Sequence, residues 1–571
     1  MDATTDWARR VTRPPADEVA RLREVGVLGR RTIADELRAV ADAFPDREAV
    51  VTPDARLRYR ELDRAADRVA VGLMDRGLRP GQTVLLQVGN RIEVVVAWYG
   101  LLKAGLVPVC TLAAHRAHEI GAISRRTGAV AHLVEAGGSA DLVAFARGQA
   151  VDHPTLRHLL TVGATGDTPG ARVEDLGADV DAAEARARVD RVQATINPDD
   201  VAVLQLSGGT TGVPKVIPRM HAEYWFNARA YAAGWGWDAT TRNGHMIPLV
   251  HNAGIVCGLH GPHSVGGCLL LTPADLDVAL PVLAAEGVTD LLVGHGHYRA
   301  VPRDDFAALA PTLRTVVLSG AKVPDALFER LEQLGVWSGQ LFGMGEGFFA
   351  ITHRDAPREA RLRTVGSPLC PDDEYRVLHP GTEEEVPPGE VGELVCRGPY
   401  TLRGYLDAPE HNARAFTHDG FLRTGDLVAE RTIDGRTYLG VEGRIKDVIN
   451  RGGEKVNAEE VELVLLRHPA VAAAAVVAMP DERLGERTCA FLVATDAPVG
   501  LPDVRHHLAE IGLAKFKWPE RLEWVDRLPT TAVGKLDKKR LAAEIAARVA
   551  AERPPAAEPH AGLTAPAVGP A

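Results

Sequence analysis

The feature that most limits how this chain can fold is a series of short, almost wholly apolar runs. They lie within 83–90 (TVLLQVGN), at 107–112, at 201–206 (VAVLQL), and at 268–272, 288–293 and 314–318. Such runs lack the polar alternation of a strand with one wet face, so they read as strands buried on both faces of a largely parallel sheet. Segments of helical periodicity lie between them; Leu62, Ala65, Ala66, Val69 and Leu73 mark one amphipathic helix. That alternation, from about residue 40 to 345, predicts an α/β architecture. From 374 to 443 short strands with Gly-rich turns take over, predicting a β-barrel-like subdomain. Beyond Gly443 the pattern reads helix, strand, strand, helix, a small α+β unit. The run RPPAAEPHAGLTAPAVGPA at 553–571 has little to bury and reads as a disordered tail. At 571 residues the chain is too long for one core, so the division is placed at 1–445, 446–552 and 553–571.

Composition removes several classes of function. Net charge is -11 with no dense basic run, which argues against a nucleic-acid partner. Six cysteines without CxxC spacing argue against a zinc site or disulfide framework and suit a reducing cytoplasm. The N-terminus has no apolar signal region, and no run reaches the ~18–20 apolar residues of a membrane span. Histidines at His245, His251, His260, His263, His295 and His297 lack ligand spacing and read as packing or surface residues.

Directly after VAVLQL comes Ser207-Gly208-Gly209-Thr210-Thr211-Gly212-Val213-Pro214-Lys215. Glycines let backbone approach an anion closely, hydroxyls and N–H groups can hold phosphate oxygens, and Lys215 adds a point charge. The nucleotide-binding loop with Gly-Lys-Ser/Thr opening a helix is excluded, because Val213-Pro214 separate Gly212 from Lys215.

With this loop, five further motifs resemble the adenylate-forming superfamily: acyl- and aryl-CoA synthetases, adenylation domains and firefly luciferase. They are Ser319-Gly320-Ala321-Lys322, Phe342-Gly343-Met344-Gly345-Glu346-Gly347, Tyr405 through Asp426, Gly443 through Lys455, and Pro529 through Lys535. The resemblance covers about 30–545. It implies that the Ser207–Lys215 loop grips the β- and γ-phosphates of ATP, and that Gly320 and Ala321 border the adenine. Phe342 would stack on the base, Gly343 and Met344 flank it, and Glu346 helps hold Mg²⁺. Asp426 would accept the ribose hydroxyls, as an acceptor-only carboxylate can. Arg444 would bind nucleotide, Lys446 serve as the hinge of a mobile C-terminal lid, and Gly452 and Gly453 line a thiol tunnel. Lys535 would touch the reacting carboxylate and the α-phosphate. Gly345 departs from many relatives, which carry Thr or Ala there.

Within the superfamily, Pro248 through Asn252, Arg397 through Thr401 and Leu484 through Arg487 look most like aryl acid–AMP ligases. Those enzymes load salicylate or 2,3-dihydroxybenzoate onto the phosphopantetheine thiol of a carrier protein. The implied acid pocket is His251, Asn252, Ala253, Cys257, Ser319, Gly320, Leu341 and Phe349. Asn252 would bond the ortho substituent. Cys257, standing where dihydroxybenzoate enzymes have Ser, is a poor partner for a 3-hydroxyl. Ala253 replaces a usual aromatic residue and Phe348-Phe349 replace smaller ones, so anthranilate or 3-hydroxyanthranilate stays open as the acid. Free CoA stays open as the acceptor, and a monomer or homodimer as the assembly. A non-catalytic nucleotide-binding protein is the alternative of another class; retention of Lys535, Asp426, Arg444 and Glu346 opposes it.

Overall fold

The computed structural model describes residues 7–552 except 139–140, 208–213, 321–322, 452–453, 482, 512, 514 and 532–534, with the side chains at 8, 450, 454 and 455 also left undescribed. The expected tail at 553–571 therefore lies outside the described residues. The chain separates into two compact units: residues up to Lys446 with Thr530–Lys535, and Asp447–Pro529 with the chain from Leu536 onward. The segment carrying Lys535 thus groups with the larger unit rather than with the rest of 446–552. Thr531 and Lys535 are tied together, with the Thr531 N–H on the Lys535 carbonyl at 2.6 Å and the Lys535 N–H on Thr531 Oγ1 at 3.2 Å.

Two large sheets build the main unit. In the first, seven strands run in the order Ala171–Arg172, His158–Val162, Ala131–Glu135, Thr83–Gln87, Val107–Val109, Val201–Leu206 and Val216–Met220. Every pairing is parallel except the last, where Val216–Met220 turns back on Val201–Leu206. The second sheet has nine strands, parallel through its centre (Cys268–Leu271, Arg242–His245, Asp290–Gly294, Thr315–Ser319, Trp337–Met344) and antiparallel at both ends. The apolar runs form strands of these two sheets and are buried along nearly their whole length, as their composition requires. The 374–443 region is a four-stranded antiparallel sheet, Glu374–Leu378, Gly392–Arg397, Leu422–Ile433 and Arg436–Arg444.

In the smaller unit, period-two alternation along Val471–Asp481 divides two cores. Val476 faces Val461, Leu465, Val504 and Leu508 of the helices Ala458–Leu465 and Leu501–Ile511; Ala475 and Val477 face Leu541 and Ile545 of Lys538–Glu552. The four-element expectation here is corrected. A strand pair, Val448–Arg451 and Glu454–Asn457, precedes the first helix, and Arg521–Trp524 adds a parallel edge. Both are short and rich in charge, so they carry no apolar run. No described helix is long and apolar enough to cross a membrane.

Two backbone features shape the site. Gly347 has φ +98° and a Cβ there would meet the Tyr400 carbonyl oxygen at 2.0 Å, so only glycine fits. Phe348 follows at φ 52°, an uncommon conformation for a bulky residue. Nearby, the Tyr400 hydroxyl donates to Asp373 Oδ2 at 2.6 Å, while Asp373 Oδ1 is buried with no partner. Burial pushes the Asp373 carboxyl up to about 7, against the pull of the Tyr400 hydrogen bond. Its folded pKa exceeds its unfolded one, so the associated stability is full below about pH 4 and is lost as pH rises through about 7. Thermal unfolding compared across pH 4–8 should show Asp373→Asn lacking that decline, a difference of up to about 4 kcal/mol at pH 8.

Candidate functional site

The glycine-rich loop leaves the strand Val201–Leu206 and returns into Val216–Met220, two antiparallel neighbours. Its neck is closed by paired hydrogen bonds: the Ser207 N–H to the Lys215 carbonyl at 2.9 Å, and the Lys215 N–H to Ser207 Oγ at 3.0 Å. Ser207 thus has a structural use as well. Gly208, Gly209, Thr210, Thr211 and Gly212 lie outside the described residues, as do Ala321, Gly452 and Gly453.

The half-buried Lys215 ammonium approaches His411 Nε2 at 2.9 Å and stands 4.5 Å above the Tyr405 ring. Burial lowers its pKa, and Glu346 opposes that shift. The Tyr405 hydroxyl donates to Glu346 Oε1 at 2.8 Å. Glu346 Oε2 has no partner among the described residues. Asp426 is 4% exposed and meets Arg444 Nε at 2.7 Å. Burial pushes the Asp426 carboxyl up, while Arg444 and then Lys535 pull it down. Lys535 is exposed by surface area yet crowded by protein; that crowding and then Arg444 lower its pKa, with Asp426 and Glu346 opposing. Residues up to 320 positions apart in sequence (Lys215 and Lys535) therefore share one electrostatic field with Glu346, Asp426, Arg444 and Lys446.

The acid-pocket candidates lie beside this group. After Pro248 the chain enters a π-helical stretch, Gly254–His260, where a Cβ at Gly254 would meet the Leu249 carbonyl oxygen at 2.2 Å. Such stretches often mark functional sites. His251 Nδ1 accepts the Ala253 N–H at 3.3 Å, and burial, then Lys535, hold the ring at about 4, so it is neutral at pH 7. The Asn252 amide is fixed at both ends: Oδ1 accepts the Tyr224 hydroxyl at 3.0 Å and Nδ2 donates to the Met344 carbonyl at 3.3 Å. Cys257 is buried against Tyr231, and burial raises its thiol pKa, so it stays protonated.

Strand alternation sorts the Leu341–Phe349 region. Leu341 and Phe349 join the core that holds Leu249 and Cys257, with the Phe349 ring 6.3 Å from those of Tyr231 and Tyr400. A Cβ at Gly343 would strike the Phe349 ring at 2.8 Å. Phe342, Met344 and Phe348 fall on the opposite core, beside Ile217 and Tyr405. Phe348 is therefore core, whereas Phe349 stands with the acid-pocket candidates. Ser319 Oγ donates to the Leu341 carbonyl at 2.8 Å, and Gly320 is exposed at φ +97°. At Gly345 the backbone does not demand glycine, since a Cβ would meet only the tip of Ile217 within 3.4 Å.

Sequence reasoning missed Arg219 and Tyr224 as site residues. Arg219 is 1% exposed, pairs with Glu223 at 2.7 Å, lies 4.4 Å from the Tyr224 ring and donates to the Gly345 carbonyl at 3.0 Å. A charged residue inside the otherwise apolar strand VIPRM was the available signal. The His251 assignment is testable by NMR titration: the ring should stay neutral above about pH 5, and Lys535→Ala should raise its pKa. An unchanged pKa would remove Lys535 from the vicinity of His251.

The chain matches the AMP-binding enzyme family over residues 37–406 and the AMP-binding enzyme C-terminal domain over 460–535. It is 41% identical over 543 residues to a salicylyl-CoA synthase / salicylate adenylyltransferase of a Streptomyces species, spanning 92% of this chain and 96% of that one. It is 38% identical over 549 residues to the 2,3-dihydroxybenzoate-AMP ligase of Bacillus subtilis, spanning 94% and 98%. The apo structure of MbtA from Mycobacterium smegmatis matches with a TM-score of 0.67 at 37% identity, over 95% of this chain and 100% of that one. The chain belongs to the AMP-binding enzyme family and is an ATP-using, adenylate-forming enzyme of the aryl acid–AMP ligase type.

Proposed function

We propose that this enzyme activates salicylate, or a closely related ortho-substituted benzoic acid, as its acyl-adenylate, and then passes the acyl group to a phosphopantetheine thiol. The observation that carries the reading is the convergence of Lys215, Arg444 and Lys535 with Glu346 and Asp426 beside the His251–Cys257 segment. In the first step a carboxylate oxygen attacks the α-phosphorus of ATP and pyrophosphate leaves. Two anions must meet, so the site must neutralise charge and hold reactants in line more than it must move protons. Lys535 is assigned to the carboxylate and α-phosphate, Lys215 with the Ser207–Gly212 loop to the outer phosphates, and Asp426 with Arg444 to the ribose. Phe342, Gly343, Met344, Gly320 and Ala321 are assigned to the adenine.

Glu346 suits Mg²⁺: its Oε1 is oriented by Tyr405 and its other oxygen is open among the described residues. Mg²⁺ commonly binds through one or two carboxylates plus substrate phosphates, so a single protein carboxylate is a sufficient anchor. When bound, the ion would supply charge neutralisation at the phosphates.

The acid is assigned to a pocket of His251, Asn252, Ala253, Cys257, Ser319, Gly320, Leu341 and Phe349. A protonated, buried Cys257 thiol is a weak partner for a 3-hydroxyl, which favours salicylate over 2,3-dihydroxybenzoate. For the second step, Lys446 is assigned as the hinge, since it is the last residue before the division between the units, and Gly452 and Gly453 as the lining of the thiol path. The acceptor is assigned to a carrier protein; the CoA activity in the name of one relative keeps free CoA as the second reading.

ATP–pyrophosphate exchange with salicylate tests the first step. Lys535→Ala should lower exchange by about 10²–10³, the usual cost of one preorganised electrostatic group, with an unchanged melting temperature. Near-normal exchange would remove Lys535 from its role. Lys446→Pro should slow thioester formation, with carrier protein or CoA, far more than it slows exchange. Equal loss of both steps would exclude a hinge.

A further inference from the structure

We infer that Tyr224 is a specificity-positioning residue: together with the Met344 carbonyl it holds Asn252 so that the pocket presents a hydrogen-bond donor to the ortho substituent, and so selects an ortho oxygen over an ortho amine. This rests on the proposal that Asn252 lines the acid pocket.

An asparagine amide can present either its oxygen or its nitrogen to a ligand, and the two ends select opposite chemistries. Here the choice is made by unambiguous neighbours. The Met344 main-chain carbonyl can only accept, so the Asn252 atom 3.3 Å from it is the nitrogen. The oxygen is then the atom 3.0 Å from the Tyr224 hydroxyl, which must donate to it. Tyr224 can do so because its own oxygen accepts from Gln205 Nε2 at 3.0 Å. The result is a directed chain: Gln205 to Tyr224, Tyr224 to Asn252, Asn252 to Met344. The Arg219 guanidinium 4.4 Å from the Tyr224 ring polarises that hydroxyl as a donor. Tyr224, Gln205 and Asn252 are all buried, at 0%, 2% and 6% exposure, so water does not compete for these bonds.

Met344 uses one Asn252 N–H, and among the described residues no other group takes the second, which is therefore assigned to the ligand. It needs an acceptor. A phenol oxygen ortho to the carboxylate supplies lone pairs while its own proton points to the neighbouring carboxylate. The nitrogen of an ortho amine has its lone pair delocalised into the ring and offers chiefly N–H donors, which meet an N–H here. A donor facing a donor leaves a buried polar group unpaired, the penalty that gives hydrogen-bonding sites their discrimination.

The test is kcat/KM in ATP–pyrophosphate exchange with salicylate, anthranilate and benzoate, for the unmodified enzyme, Tyr224→Phe and Gln205→Met. The unmodified enzyme should prefer salicylate to anthranilate. Tyr224→Phe should lower the salicylate-to-benzoate ratio about 10-fold and narrow the gap to anthranilate. Gln205→Met should move both in the same direction by less, since the Tyr224-to-Asn252 bond survives. A purely structural role would lower all three acids in parallel, leaving the ratios fixed, and that outcome would overturn the inference. So would an unmodified enzyme that uses anthranilate as well as salicylate. Failure with all three acids would instead overturn the proposed activity, and this inference with it.

Discussion

The buried guanidinium of Arg219 is the interaction on which the site's geometry depends. A cation 1% exposed would be strongly destabilising unless every donor were matched, and here the matches hold separate elements together. Glu223, one helical turn on, takes two of its nitrogens. The Gly345 carbonyl takes the third, Nη1, at 3.0 Å, and the Tyr400 carbonyl shares Nη2 with Glu223 at 3.3 Å. The first carbonyl lies immediately before Glu346, and the second lies at the close approach that requires Gly347. The Tyr224 ring beneath the cation carries the hydroxyl that orients Asn252. One desolvated charge thus fixes the backbone before Glu346, the carboxylate proposed to hold Mg²⁺, and, through Tyr224, an amide proposed to read the acid.

The second constraint is electrostatic. Joining a carboxylate to a triphosphate needs positive charge from several directions, yet unscreened lysines and arginines would repel one another. The arrangement interleaves signs. Asp426 sits beside Arg444 and in the field of Lys535; Glu346 is in the fields of Lys215 and Lys535. Each carboxylate supports the protonation of its neighbours and retains a proposed ligand of its own, the ribose or the metal. His251, held neutral by burial and by Lys535, adds no further charge at the proposed acid pocket.

Much of the framework was legible in sequence because burial leaves a plain signature. The runs at 201–206 and 314–318 read as buried strands, and they form the buried strands Val201–Leu206 and Thr315–Ser319. The polar strand pair Val448–Arg451 and Glu454–Asn457 was not legible, since its residues carry charge rather than an apolar run. Phe348 and Phe349 are adjacent in sequence, but strand parity decides which reaches the pocket side, and the φ 52° turn at Phe348 falls where parity is hard to read. The motif residues were found as isolated strings. That Lys535 groups with the larger unit, and that Arg219 reaches the Gly345 and Tyr400 carbonyls, depend on long-range packing which no local window contains.

The central claim is that the acid's own carboxylate oxygen becomes bonded to the α-phosphorus. The most direct measurement is to incubate the enzyme with ATP and salicylate carrying a heavy oxygen isotope in its carboxylate, with a thiol acceptor, and to locate the label by mass spectrometry. The account predicts label in AMP and none in pyrophosphate. Label in inorganic phosphate, or unlabelled AMP accompanying product, would contradict it.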